Sequence, residues 1–216
     1  MPGHESSEDE TRSLVVRVWL PDRPGALGQV ASRIGGLRGD VTAIDILEKG
    51  GGRVVDELVV SLPVAASEQL LAKEVGAVDG VAVEHIRPVR YEREDSATAM
   101  LELAAELGEA APEDRLARLC RGLVEALDAD WAVVASSAEI IEWCGEQRPE
   151  PAWMLAFIDG SDHLDARGGQ TPGDVVWARL PGRGVTIAAG RSARAIHDRE
   201  RARTALFARL VDAILA

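Results

Sequence analysis

Cysteine, lysine and long apolar runs are scarce in this sequence. Cys120 and Cys144 are its only cysteines, too few for a disulfide framework or a cysteine-built zinc site. The start, Met1 to Glu10, is polar and acidic and lacks the apolar core of a secretory signal. Together these features point to a cytoplasmic protein with reduced thiols. No apolar run approaches the roughly 20 residues needed to span a bilayer. Lysine occurs only at Lys49 and Lys73, so arginine carries nearly all the positive charge. Acidic side chains number 36 against 24 basic ones, a net charge of -12. That excess repels a polyanion and an anionic membrane surface, which sets aside nucleic acid and membrane as partners. A Walker loop, a dinucleotide fingerprint, an HExxH helix and a nucleophile elbow are all missing. The chain is therefore expected to be no enzyme and to hold no cofactor.

What is present is the balance of a folded protein, 46% apolar and 28% charged over 216 residues. That length suits two domains of about 100 residues each. Residues 1–12 read as a disordered tail. Leu14 to Leu20 is a β-rich run that Pro21-Asp22-Arg23-Pro24-Gly25 breaks. Leu27, Val30, Ala31, Ile34 and Leu37 then recur on one helix face, with a stop at Gly39-Asp40. Val41 to Lys49 and Arg53 to Leu62 flank Gly50-Gly51-Gly52, a hairpin signal. Ser67 is the expected N-cap of a second helix through Leu70, Leu71 and Val75. Val81 to Val89 is the last strand. The order β-α-β-β-α-β predicts a ferredoxin-like α+β domain over residues 13–90. Its four-stranded antiparallel sheet has both helices on one face; the other face is left open by them, and something must cover it.

Tyr91 to Ala97 is a charged linker to a second domain over residues 98–216. Two helical stripes come first, one through Met100, Leu103, Ala104 and Leu107 and one through Leu116 to Leu127. Trp131 to Ala135 and Glu139 to Trp143 are strands. Residues 145–153 read as irregular, and the period leaves Trp153 to Ile158 open between strand and helix. Asp159 to Asp174 reads as a Gly- and Asp-rich loop. Val175 to Leu180 and Val185 to Ala189 form a hairpin around Pro181-Gly182-Arg183-Gly184. A helix from His197 to Ile214 closes the chain. This is an α+β domain with an antiparallel sheet.

The segment of chemical interest joins the first strand to the first helix. Pro24 suits a first helical turn, where a missing N–H is no loss. Gly25 and Ala26 are expected to leave backbone N–H groups free along the helix dipole, a place for a carboxylate or phosphate oxygen. Asp22 beside them can take a cation, so the pair matches the carboxylate and ammonium of an α-amino acid. A plain cap and turn is the competing reading of the same residues.

This strand–Asp22-Arg23-Pro24-Gly25-Ala26-Leu27–helix segment, within a βαββαβ unit, resembles the ACT domain, a regulatory module that commonly binds amino acids. Asp22, Pro24, Gly25 and Leu27 match its recurring D-x-P-G-x-L. Gly51-Gly-Arg-Val-Val-Asp56 is similar to the hairpin of ACT domains in nitrogen-sensing uridylyltransferases. The resemblance implies a ligand between the first loop of one copy and the second strand of a neighbour. On this chain those parts are Asp22 to Leu27 and Thr42 to Ile46, with Asp45 the polar contact. One such unit per chain implies a homodimer. The resemblance thus implies a non-catalytic regulator that senses a small amino acid and acts on a metabolic enzyme; an assembly scaffold with an empty pocket is the alternative. The second half is similar, in topology, to a small GAF-like domain, a type that binds small molecules or dimerises.

Four tryptophans, Trp131, Trp143, Trp153 and Trp177, lie in that half, and the reading favours core packing over a pocket for a planar ligand. Asp159, Asp162, His163 and Asp165 are the one metal-like cluster. They lack the order of a calcium loop and read as a solvated loop, so no metal is expected. Ser161, Asp162 and His163 are adjacent, a spacing that rarely gives triad geometry.

Overall fold

The computed structural model describes residues 10–89, 95–167 and 172–216, the side chains of 162–167 excepted. The chain forms two compact units, residues 1–92 and 93–216. Each is an α+β unit around a four-stranded antiparallel sheet.

The first unit runs β1 (Thr11–Pro21), α1 (Ala26–Gly36), β2 (Asp40–Gly50), β3 (Arg53–Pro63), α2 (Glu68–Gly76) and β4 (Ala82–Pro88). Its sheet order is β2-β3-β1-β4, the ferredoxin-like arrangement. β1 starts earlier than its apolar residues suggest, because Thr11 and Arg12 pair with Pro63 and Leu62. The expected tail therefore loses its last two residues to the sheet; residues 1–9 lie outside the described part. Period-2 alternation sends Leu14, Val16, Val18 and Leu20 of β1 and Leu58, Val60 and Leu62 of β3 to one side. Val30 and Ile34 of α1 and Leu71 and Val75 of α2 seal that side. Ser67 caps α2 as expected, its hydroxyl accepting from the Leu70 N–H at 3.1 Å. Gly51 and Gly52 make the hairpin turn with positive φ.

The opposite face of this sheet, which neither helix covers, is buried at several positions. Val15, Arg17 and Val55 are fully buried there, with Glu57 nearly so. Arg17 and Glu57 stand opposite each other on β1 and β3 and form an ion pair in which two guanidinium nitrogens, Nη2 and Nε, donate to Glu57 Oε2 at 2.6 and 3.1 Å. Trp19 donates its indole N–H to Glu84 at 3.0 Å, and Arg53 lies over the Trp19 ring. The sequence hides the Arg17–Glu57 pair, because a lone charged residue on an alternating strand reads as solvent-facing.

The second unit runs α3 (Ser96–Glu109), a 3-10 turn (Pro112–Asp114), α4 (Arg115–Ala126), β5 (Trp131–Ala135), β6 (Ile140–Gly145), α5 (Pro151–Arg167), β7 (Val175–Leu180), β8 (Val185–Gly190) and α6 (Asp198–Leu215). The sheet order is β6-β5-β8-β7. Asp95 caps α3, accepting from the Ala97 and Thr98 N–H groups, so residues 95–97 of the expected linker belong to the helix. Leu103, Leu107, Leu119, Leu123, Phe207 and Val211 from α3, α4 and α6 pack against Ala132, Val134, Ile187 and Ala189 of the sheet.

α5 covers the other face, and its first residues, Pro151 to Trp153, are helix where the sequence predicts an irregular segment. The open segment Trp153 to Ile158 is helix, and so is the expected loop from Asp159 as far as Arg167. Met154, Ile158 and Ser161 recur at helical spacing and are buried. Ser161 satisfies its own hydroxyl by donating to the Ile158 carbonyl at 2.7 Å, so Gly160 and the polar residues around it need not break the helix. Residues 168–171 of that expected loop lie outside the described residues.

Candidate functional site

β1 ends at Pro21, and the chain turns through Asp22 to Gly25 before α1 begins at Ala26. The turn is held from two sides. Asp22 donates its N–H to the Gly52 carbonyl at 2.9 Å, tying the loop to the β2–β3 hairpin tip. Arg23 donates its N–H to the Pro21 carbonyl at 2.8 Å. Pro24 precedes the helix and is not in its first turn. Gly25 is the N-cap, left-handed at φ 85°, and no side chain caps the helix. The left-handed backbone explains the glycine: any Cβ there is disfavoured by its own carbonyl.

The free amides lie two residues later than the sequence suggests. Ala26 donates its N–H back to the Arg23 carbonyl at 3.3 Å and is buried. Gln29 donates to the Gly25 carbonyl at 3.0 Å, closing the first helical turn. Among the described residues, the Leu27 and Gly28 N–H groups have no such partner. They are the anion-facing donors of this helix end.

Asp22 does face a cation, and it is one from the same chain. Lys49 Nζ, at the far end of β2, lies 3.1 Å from Asp22 Oδ1, with both side chains partly exposed. Arg23 is exposed and reaches Gln29 Oε1 at 3.4 Å. Thus Asp22, Arg23, Pro24, Gly25, Ala26 and Leu27 gather at one corner, and Lys49 joins them. Lys49 was not singled out by sequence; the available signal was that it is one of only two lysines, flanking a glycine hairpin.

Thr42, Asp45 and Ile46 are on β2 but away from that corner. At about 3.3 Å per strand residue, Ile46 lies roughly 10 Å and Thr42 roughly 23 Å along the strand from Lys49. β2 is an edge strand, and its pairing with β3 shifts register between Val41 and Ala43 and again between Ile46 and Glu48. Thr42 donates its hydroxyl to the Val59 carbonyl at 3.2 Å. Ile44 and Ile46 are 50% and 45% exposed. Asp45 is half-buried and acts on Asp56, a buried carboxyl of β3 whose pKa is raised above 3.8, first by burial and then by the Asp45 charge. One chain therefore presents the two halves of the expected site separately.

In the second unit, Trp131 is buried, Trp143 and Trp177 are half-buried, and Trp153 is exposed. Phe157 stacks on Trp153 at 5.3 Å and meets Trp177 edge-on at 5.0 Å. Trp131, Trp143 and Trp177 join one apolar cluster, as the core reading expects. Asp159 lies on α5, and the side chains of Asp162, His163 and Asp165 are outside the described set. No group of metal-ligating side chains gathers among the described residues, and no described helix is long and apolar enough to cross a membrane. Cys120 is buried, with its thiol pushed up first by burial and then by Cys144; both thiols are free.

No family model matches this sequence, and no curated protein matches it. Among solved structures, the chain is similar to an unknown protein from Galdieria sulphuraria. The identity is 21% and the TM-score 0.33, over 46% of this chain and 66% of that one. It is also similar to a formyltetrahydrofolate deformylase from Pseudomonas putida. There the identity is 16% and the TM-score 0.30, over 45% of this chain and 39% of that one. The chain spans less than two thirds of either neighbour. Likeness at this level carries no conclusion about activity.

Proposed function

We propose that the first unit is an ACT-type regulatory module that binds a small amino acid, and that a second copy of the chain completes its site. The ligand carboxylate meets the Leu27 and Gly28 N–H groups at the start of α1, its ammonium meets Asp22, and the partner's Thr42, Asp45 and Ile46 close over it. The GAF-like second unit contributes assembly or contact with a regulated metabolic enzyme, and the protein itself is non-catalytic. Occupancy acts by favouring one arrangement of the subunits, which requires different affinities for the two arrangements.

The observation behind this reading is the uncapped, left-handed Gly25 turn beside an acid–base pair. It sets two anion donors, one acid and one ammonium side by side. Lys49 refines the chemistry. It is expected to swing from Asp22 to the ligand carboxylate, leaving Asp22 to the ligand's ammonium. Calorimetric titration with the twenty amino acids tests the proposal. The expected result is heat with a small subset, lost in Asp22→Ala and weakened in Lys49→Met. The Asp22–Lys49 pair also favours the alternative, a scaffold whose corner is already neutral. No heat from any amino acid, with the protein folded and dimeric, selects that alternative.

A further inference from the structure

Cys120 and Cys144 are the chain's only cysteines, and they meet in the second unit. Cys120 stands on α4 and is fully buried, while Cys144 lies near the end of β6 and is half-buried. β6 is an edge strand of its sheet.

Three observations bring the sulfurs together. The Cys120 thiol donates to the Ala132 carbonyl at 3.3 Å, and Cys144 is the residue opposite Ala132 across the β5–β6 ladder. Alternation on β5 turns Ala132 and Val134 toward α4 and Val133 away, and Cys144 packs against the same apolar cluster that holds Cys120. The Cys144 side chain therefore points to α4. The Cys120 sulfur also lies within hydrogen-bonding reach of both the thiol and the backbone N–H of Cys144. The end of β6 is fixed in that register. Glu146 donates its N–H to the Asp130 carbonyl at 3.0 Å, and Gly145 takes a φ of 93°, which suits glycine.

A single buried cysteine packs as a small apolar residue. Two thiols in contact, held by separate elements, are one two-electron oxidation away from a bond. Access to them differs. Burial and the neighbouring Cys144 push the Cys120 thiol up, so it stays protonated and unreactive on its own. Cys144, on the edge strand, is the sulfur that an oxidant reaches first.

We infer that Cys120 and Cys144 form an oxidation site, at which a hydroperoxide converts the thiol pair into a disulfide between α4 and β6. The Cys144 thiolate attacks a peroxide oxygen. An S–O bond forms, the O–O bond breaks, and the leaving hydroxide or alkoxide takes up a proton. The sulfur gives up two electrons and the peroxide gains them, leaving a sulfenic acid. Cys120 then attacks the Cys144 sulfur. The S–S bond forms, the S–O bond breaks, and the departing hydroxide carries off the Cys120 proton as water. The contact between the two thiols supplies the proximity that this second step needs. A reducing dithiol reverses the link by exchange. The site lies in the unit that does not hold the amino-acid corner, and it stands whether or not that corner binds a ligand.

Treatment of the folded full chain with hydrogen peroxide tests it, read by thiol titration in denaturant and by peptide mass mapping without reductant. The expected result is loss of both thiols together, a linked Cys120–Cys144 peptide within one chain, and full recovery with dithiothreitol. In Cys120→Ala, Cys144 is expected to stop at the sulfenic acid and to be trapped by dimedone. In Cys144→Ser, Cys120 is expected to keep its thiol under the same treatment. Two thiols that survive peroxide overturn the inference. So does a link formed only between chains, or a Cys144 that passes to sulfinic acid while Cys120 stays free. Circular dichroism confirms the fold before treatment; if either variant fails to fold, mapping of the wild-type chain decides alone.

Discussion

At the residue scale, two ionisable groups of the first sheet pull stability in opposite directions with pH. His85 on β4 is half-buried, and its pKa is pushed down to about 4, first by desolvation and then by Arg17 and Arg87. Its folded pKa lies below the ordinary 6.5, so as pH falls through that window the unfolded chain takes up a proton before the folded one. The stability is complete above about pH 6.5 and is lost as pH falls toward 4. Urea unfolding across this range is expected to show a positive slope of stability with pH, and His85→Gln is expected to flatten it. Asp56 has the reverse sign. Its pKa is raised, and one carboxyl oxygen is buried without a partner. Stability is present while it is protonated and is lost as pH rises through its folded pKa. Asp56→Asn is therefore expected to raise the melting temperature at neutral pH by a few degrees, about 1 kcal/mol, with the gain vanishing as pH falls toward 3.8. Neither effect was legible in the sequence. Nothing local to Asp56 and Glu57 signals burial, and only strand pairing shows that one is buried and the other bound to Arg17 across 40 residues. The same holds for Lys49 and Asp22, which the hairpin brings together.

At the element scale, turn chemistry and apolar period made most of the fold readable. The glycine hairpin, the Ser67 cap and the Pro-Gly-Arg-Gly turn lie where local conformational preference puts them, since glycine accepts positive φ and serine accepts a helix N–H. The failures share a cause. α5 was hidden because Gly160 and its polar neighbours resemble a loop until Met154, Ile158 and Ser161 are known to face one sheet. The start of α1 was misplaced by two residues because Pro24 and Gly25 both fit a helix entrance, and only φ shows which one is the cap. Two variants test these elements. Gly190→Ala, whose new Cβ would fall 2.3 Å from the Trp131 ring, is expected to cost roughly 1–3 kcal/mol in denaturant unfolding. Arg191 is buried and joins the Leu127 carbonyl at the end of α4 to Glu200 in the first turn of α6, at 3.0 and 2.6 Å. Arg191→Met leaves Glu200 buried with a lost partner and is expected to cost about 3–5 kcal/mol by the same assay.

At the scale of the whole molecule, the two units offer different kinds of surface. The first has an edge strand and a polar corner whose expected site residues lie apart along β2, so the proposed site calls on a second copy. The second has an apolar groove between α3 and α6. The sequence conveyed the first of these through Asp22, Pro24, Gly25 and Leu27, because a loop motif is local. It did not convey the second, because Leu101 and Leu206 are 105 residues apart and only the packing of α3 on α6 makes them neighbours. The central claim is that the first turn of α1 receives an amino-acid carboxylate. The most direct measurement is an amide-resolved nuclear magnetic resonance titration of the full chain with whichever amino acid gives heat, or with the whole set if none does. The account predicts saturable shifts of the Leu27 and Gly28 amides together with those of Thr42 to Ile46. Amides of that turn that stay in place at saturating amino acid would contradict it.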